Sequence, residues 1–136
     1  MEPFASPHNL DRELHSLLCH ASTILCDWLA ESGNQGPIPD SFDLPEVYPE
    51  KKGVSNKVLL SELKSLMNSS YRPSHPGSLA HLDPPPLSAS IVGELISAGL
   101  NNNLLAEELS PGLSSLERKL CKWFCQKYGL GDLSGG

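Results

Sequence analysis

The segment Ser74-His75-Pro76-Gly77-Ser78-Leu79-Ala80-His81-Leu82-Asp83-Pro84-Pro85-Pro86-Leu87 holds the chain's most chemically suggestive residues. Proline at this density fixes φ and removes backbone donors, so the segment reads as a stiffened, extended loop. His75 and His81 can donate, accept or stack near neutral pH, which suits a loop that walls a pocket; backbone hydrogen bonding in an irregular region would explain them as well. His15, Cys19 and Cys26 are the other reactive group, since steps of four and seven residues return to one helix face. A structural zinc ordinarily takes four ligands and no fourth is evident, so no metal site is expected. The four cysteines, which include Cys121 and Cys125, fall inside helix-like apolar patterns and read as small buried thiols.

The sequence contains no GxSxG elbow, Gly-rich phosphate loop, HExxH or CxxC. No spacing forces a nucleophile, a base and an orienting group together.

The elements that must position these residues read as helices. Leu10, Leu14, Leu17, Leu18, Ala21, Leu25, Trp28 and Leu29 recur at three and four, predicting a helix from about Asn9 to Ser32. Ser6-Pro7 or Asn9 would start it and Gly33 would stop it. Pro37, Pro39, Pro45 and Pro49 make residues 33–53 an extended connector, whose Ile38, Phe42, Leu44, Val47 and Tyr48 suit a chain lying along another surface; a disordered linker is the alternative reading. Ser55 caps a second helix through Val58, Leu59, Leu63, Leu66 and Met67, ended by Asn68-Ser69-Ser70. A third runs from Ser88 to about Leu100 and carries Gly93 and Gly99, residues that favour close packing against a neighbour. A fourth opens at Ser110-Pro111 and closes at Gly129. No strand pair, repeat or sustained heptad is present, so the fold class is mainly α, with helices joined by Pro-rich loops.

The chain has 136 residues, enough for one domain, but 12 Pro, 11 Gly and only 6% aromatic residues argue against a self-sufficient globule. The formal charge of −6 comes from scattered acids, and no basic stripe is present to meet a nucleic-acid backbone. No apolar run approaches the ~20 residues of a membrane span, and Met1-Glu2-Pro3 does not open a signal peptide, so a soluble cytoplasmic protein is expected.

The order His75-Pro76, Pro84-Pro85-Pro86, Asn101-Asn102-Asn103, Ser110-Pro111, Leu116-Glu117 and Trp123 resembles the N-terminal region of the pyridoxal-phosphate (PLP)-dependent group II amino-acid decarboxylases, particularly the bacterial diaminobutyrate branch. The resemblance covers about residues 55–136; the earlier part matches as a dimer-forming helix and connector. It implies two regions: residues 1–54, a dimerisation helix with a Pro-rich connector, and residues 55–136, a helical segment of a fold-type-I enzyme without its large α/β cofactor domain. It also implies substrate-pocket walls at His81, Leu82 and Pro84, and a turn at Asn103 and Leu105 that enters the partner subunit's pocket. Gly77, Ser78, Leu79 and Leu82 stand where the aromatic-amino-acid branch favours aromatic residues, so a large aromatic substrate is not expected.

The reaction implied is α-decarboxylation, in which PLP takes up the electrons left when CO2 departs. By the resemblance, the catalytic lysine and every cofactor-binding residue would lie beyond Gly136. The chain alone is then expected to be inactive, acting in a homodimer whose helices wrap a partner subunit. A helical protein-interaction module without catalysis is the rival reading.

Overall fold

The computed structural model describes residues 4–39, 44, 51–79, 82–131 and 133–135. Four α-helices appear among them, with no strand: α1 (Arg12–Ala30), α2 (Asn56–Asn68), α3 (Ser88–Leu100) and α4 (Pro111–Lys127). Short 3-10 turns at Glu31–Asn34 and Glu107–Leu109 complete the regular structure. The mainly α class expected from the pattern is therefore the class observed.

The chain divides into two units, Met1–Pro86 and Leu87–Gly136. In the first, α1 begins two residues later than Asn9 would place it. The Asp11 side chain accepts from the Leu14 N–H at 2.9 Å, so Asp11 is the cap. At the far end Gly33 does not stop the helix but sits inside the 3-10 turn, whose first residue Glu31 donates to Asp27 and Leu29 carbonyls. Helix α2 follows expectation: Ser55, extended at φ −71 and ψ 156, accepts from the Val58 N–H at 3.3 Å, and Ser69 closes the last turn.

Helices α1 and α2 pack on each other. Ala21, Ile24 and Leu25 face Leu60, Leu63, Leu66 and Met67 across an apolar cleft of about 220 Å³. Part of the connector, including Phe42, Val47 and Tyr48, lies outside the described residues; Ile38 and Leu44 are exposed.

In the second unit α3 has the predicted bounds and ends on Asn101 in the left-handed region at φ 45. Among the described residues α3 packs on no other element, and a Cβ built at Gly93 or Gly99 would meet nothing within 4 Å. Helix α4 starts at Pro111 behind Ser110, but Ser110 gives no side-chain cap. Its backbone (φ −155, ψ 59) departs from the geometry of the capping Asp11 and Ser55, and its buried hydroxyl has no partner among the described residues.

The other end of α4 follows expectation. Gly129 adopts φ 67, its N–H reaches the Gln126 carbonyl at 3.2 Å, and the Leu130 N–H reaches the Cys125 carbonyl at 2.9 Å. These are the bonds that retire the orphan carbonyls of a helix end.

Among the described residues no hydrophobic side chain is buried. The apolar stripes are present on all four helices, yet Leu18, Val58, Leu63, Leu66, Val92 and Leu95 are exposed. The expectation of buried thiols fails with them: Cys19 and Cys26 are exposed, Cys121 and Cys125 partly exposed. A thiol on an amphipathic helix is buried only if something covers that side.

Candidate functional site

The His75 loop is a series of tight turns. The His75 N–H donates to the Arg72 carbonyl at 3.1 Å and the Ser78 N–H to the His75 carbonyl at 2.9 Å. The ring of His75 folds back so that its Nδ1 accepts from the Gly77 N–H at 2.8 Å, which puts the proton of the neutral ring on Nε2. Glycine eases this approach, because a Cβ at position 77 would lie 3.1 Å from the imidazole and the ring would have to give by a few tenths of an ångström. The hydroxyls of Tyr71 and Ser78 are hydrogen-bonded and tie the loop's two ends together. His75 is thus a part-buried loop fastener bonded to backbone.

The residues expected to wall a substrate cleft sit differently. His81 lies outside the described residues. Leu82 is 99% exposed, and Pro84 is exposed beside it. In the second unit the Asn103 side chain accepts from the Leu105 N–H at 3.0 Å, a local bond that shapes the turn after α3. Leu105 is left 92% exposed by it. The structure brings Asn103 and Leu105 together; these residues present apolar and amide groups but nothing nucleophilic.

The densest polar arrangement is one the sequence did not announce. Arg72 is 2% exposed. Its guanidinium lies over the Trp28 ring at 5.0 Å from the centroid, and it donates from Nη2 to Gln35 Oε1 at 2.9 Å. From Nη1 it reaches the Trp28 carbonyl at 3.5 Å, the long limit of a hydrogen bond, and the same carbonyl accepts from the buried Ser32 hydroxyl at 3.2 Å. The Arg72 N–H is fixed on the Pro37 carbonyl at 2.9 Å.

Helix α1 supplies Trp28, the following 3-10 turn leads to Gln35, and the chain leaving α2 brings Arg72 back to both. Arg72 forms part of a depression of about 410 Å³ that Gln35, Ile38, Asn68 and Ser69 also line. A Pro-preceding arginine has no sequence signature of this role. The single legible hint was an aromatic residue near the C-terminal end of an amphipathic helix.

In the second unit Arg118 Nη2 lies 2.7 Å from Glu107 Oε1 in an exposed pair. The hydrogen bond from Arg118, with its charge, holds the Glu107 carboxyl below the usual glutamate range, and the same contact raises Arg118. The pair ties the 3-10 turn before α4 to that helix. Trp123, Phe124 and Tyr128 follow as a contiguous aromatic patch, with Lys127 over the Trp123 ring at 5.7 Å.

A PLP site can be tested directly. A Schiff-base lysine works from a desolvated pocket, whereas Lys51, Lys52, Lys57, Lys64, Lys119, Lys122 and Lys127 are all exposed. These residues do not fit the cofactor. Among the described residues no group of His, Cys, Asp or Glu side chains is placed to hold a metal ion, although His15 Nε2 and Cys19 Sγ stand 3.9 Å apart. No helix among them is long and apolar enough to cross a membrane.

The geometry defines a helical segment with exposed apolar faces and no reactive centre among its described residues. No family model matches the chain. It is similar to the L-2,4-diaminobutyrate decarboxylase of Acinetobacter baumannii, being 33% identical over 102 residues, a stretch that is 74% of this chain. The same stretch is 20% of the relative, so the chain spans only that share of the protein it matches. That relative is by name a decarboxylase.

Proposed function

We propose that the chain serves as a helical arm of a PLP-dependent group II amino-acid decarboxylase, contributing dimer contacts and substrate-pocket walls while the cofactor is held by other polypeptide. When bound there, PLP supplies the electron sink for loss of CO2. The observation that carries the reading is the 102-residue likeness to a diaminobutyrate decarboxylase. The uncovered apolar surface supports it. Burying one exposed Leu, such as Leu82 or Leu105, is worth roughly 1.5–3 kcal/mol, so a chain that leaves them in water gains by docking them.

In this reading α1 and α2 pack against a second copy. His81, Leu82 and Pro84 serve as walls of the substrate cleft in this reading, and the Asn103 turn carries Leu105 into the partner subunit's pocket. None of these residues transfers a proton or an electron pair. They shape the cleft and keep water from it, the part that chain-derived walls play in decarboxylation.

The test is a segment exchange. The aligned stretch of the Acinetobacter enzyme is replaced by that of this chain, and decarboxylation of L-2,4-diaminobutyrate, PLP content and sedimentation are measured together. An active, dimeric exchange protein that loses activity on Leu105→Asp with PLP content unchanged is the expected result. An exchange protein that takes up PLP stoichiometrically yet neither dimerises nor decarboxylates would overturn the proposal and favour a separate interaction module.

A further inference from the structure

The Arg72 depression is lined by amide, hydroxyl and guanidinium groups, and among the described residues no acidic side chain meets its central charge. A guanidinium carries five N–H donors, and at 2% exposure its charge has little water around it, although the group still borders the depression. Its contacts are the Gln35 oxygen, the Trp28 carbonyl and the Trp28 ring face, none of which bears a negative charge. A second orphan stands beside it: the Trp28 indole Nε1 is buried without a hydrogen-bond partner among the described residues.

With Gln35 Oε1 committed to Arg72, the amide nitrogen of Gln35 remains to donate. The Asn68 amide and Ser69 hydroxyl line the same depression. Asp27 and Glu31 line an adjoining cleft with Trp28, Lys64 and Asn68, the last of which borders both.

We propose that this depression is a binding site for a small oxyanion, a carboxylate or phosphate group, seated against Arg72 and held by the amides of Gln35 and Asn68 and the hydroxyl of Ser69. Planar bidentate recognition is what a guanidinium offers and an ammonium does not, and stacking on Trp28 fixes the plane of the fork in advance. The volume of about 410 Å³ exceeds what the anion alone requires, and Ile38 and Pro39 on the wall suit a short apolar stem on the molecule that bears it. The site stands independently of the decarboxylase reading, because it is built within the first unit and tested on this chain alone.

The test uses the whole chain with Trp123→Phe, which leaves Trp28 as the single indole. Sodium phosphate, sodium acetate and sodium chloride are titrated at constant ionic strength while indole fluorescence and the Nε1–H proton resonance are followed. Saturable shifts with phosphate or acetate, absent with chloride, are expected. Asn68→Ala and Ser69→Ala, at exposed or part-exposed positions, should keep the helical spectrum and weaken binding. Arg72→Lys, which retains the charge but loses the fork, should weaken it about ten- to a hundredfold, the factor that a charge-assisted hydrogen bond of roughly 1.5–3 kcal/mol represents.

Identical responses to all three salts would overturn the proposal. So would a phosphate response that survives Asn68→Ala, Ser69→Ala and Arg72→Lys undiminished. Failure of the free anions to bind until the chain's own acids between residues 40 and 50 are neutralised would also overturn it, because Arg72 would then be serving an internal carboxylate. The segment exchange can succeed or fail whatever these titrations give.

Discussion

Removing the Asp11 side chain tests which residue starts the first helix and how much the start is worth. The Asp11 carboxylate accepts from the Leu14 N–H at 2.9 Å, while its own carbonyl takes the His15 N–H at 2.9 Å. Replacing a capping Asp by Ala costs about 1 kcal/mol, and losing a negative charge at the N-terminal end of the helix dipole adds roughly 0.3–1 kcal/mol at low salt. Asp11→Ala should therefore lose about 1.5 kcal/mol, which lowers Tm by roughly 5 °C for a chain of this size.

Asp11→Asn keeps the acceptor and forfeits only the charge, so its smaller loss should shrink as salt is added. Asn9→Ala should stay within about 0.5 kcal/mol of the parent, as surface substitutions without a structural role do. Far-ultraviolet circular dichroism melts at two salt concentrations read all three variants. If Asn9→Ala destabilised the chain as much as Asp11→Ala, or if Asp11→Ala left Tm unchanged, the assignment of the cap would be refuted.

The Glu107–Arg118 pair gives a pH dependence of known sign. Glu107 is held below its ordinary range, so any stabilisation it provides is fully present above the unfolded carboxyl's value and disappears as pH falls through the lowered folded one. In a carboxyl-carbon NMR titration Arg118→Ala should move Glu107 back up toward the ordinary glutamate range; an unmoved midpoint would count against the pair.

The glycines separate by backbone angle. Gly129→Ala, at φ 67, should cost about 1 kcal/mol, whereas Gly99→Ala, inside α3 with open space around it, should gain roughly that amount. Thermal melts of the two variants should shift in opposite directions, and a Tm drop for Gly99→Ala would mean that α3 is packed after all.

Local chemistry made much of the helical layout readable. Ser55 with Val58, the Ser88–Leu100 stripe, Pro111 at a first turn and Gly129 past a last one each act within a few residues, where spacing and backbone preference decide the outcome. The start of α1 was misplaced because Asn9 and Asp11 are both good caps and only the geometry shows whose oxygen meets an amide. Ser110 was named correctly as the residue before the helix, yet its hydroxyl turns away from the role because its backbone has the wrong ψ.

The cysteines show the same limit from the other side. A stripe tells which residues share a face, and it is silent on whether that face is covered. The order of His75-Pro76, the triple proline, the Asn101 turn and Ser110-Pro111 suggested the resemblance to decarboxylases, and a 102-residue likeness to one of them was found. The Arg72 site could not be read that way.

Sequence by itself determined that this protein is a set of amphipathic helices joined by proline-rich connections, since hydrophobic periodicity, caps and proline act along the chain. Tertiary structure alone decided that Arg72 would meet Gln35 and Trp28, residues 37 and 44 positions away, and would be buried there with no acidic partner among the described residues. No periodicity relates positions so far apart; the pairing exists because α1 and α2 lean together and return the chain to the end of α1, where stacking on Trp28 and one amide hold it.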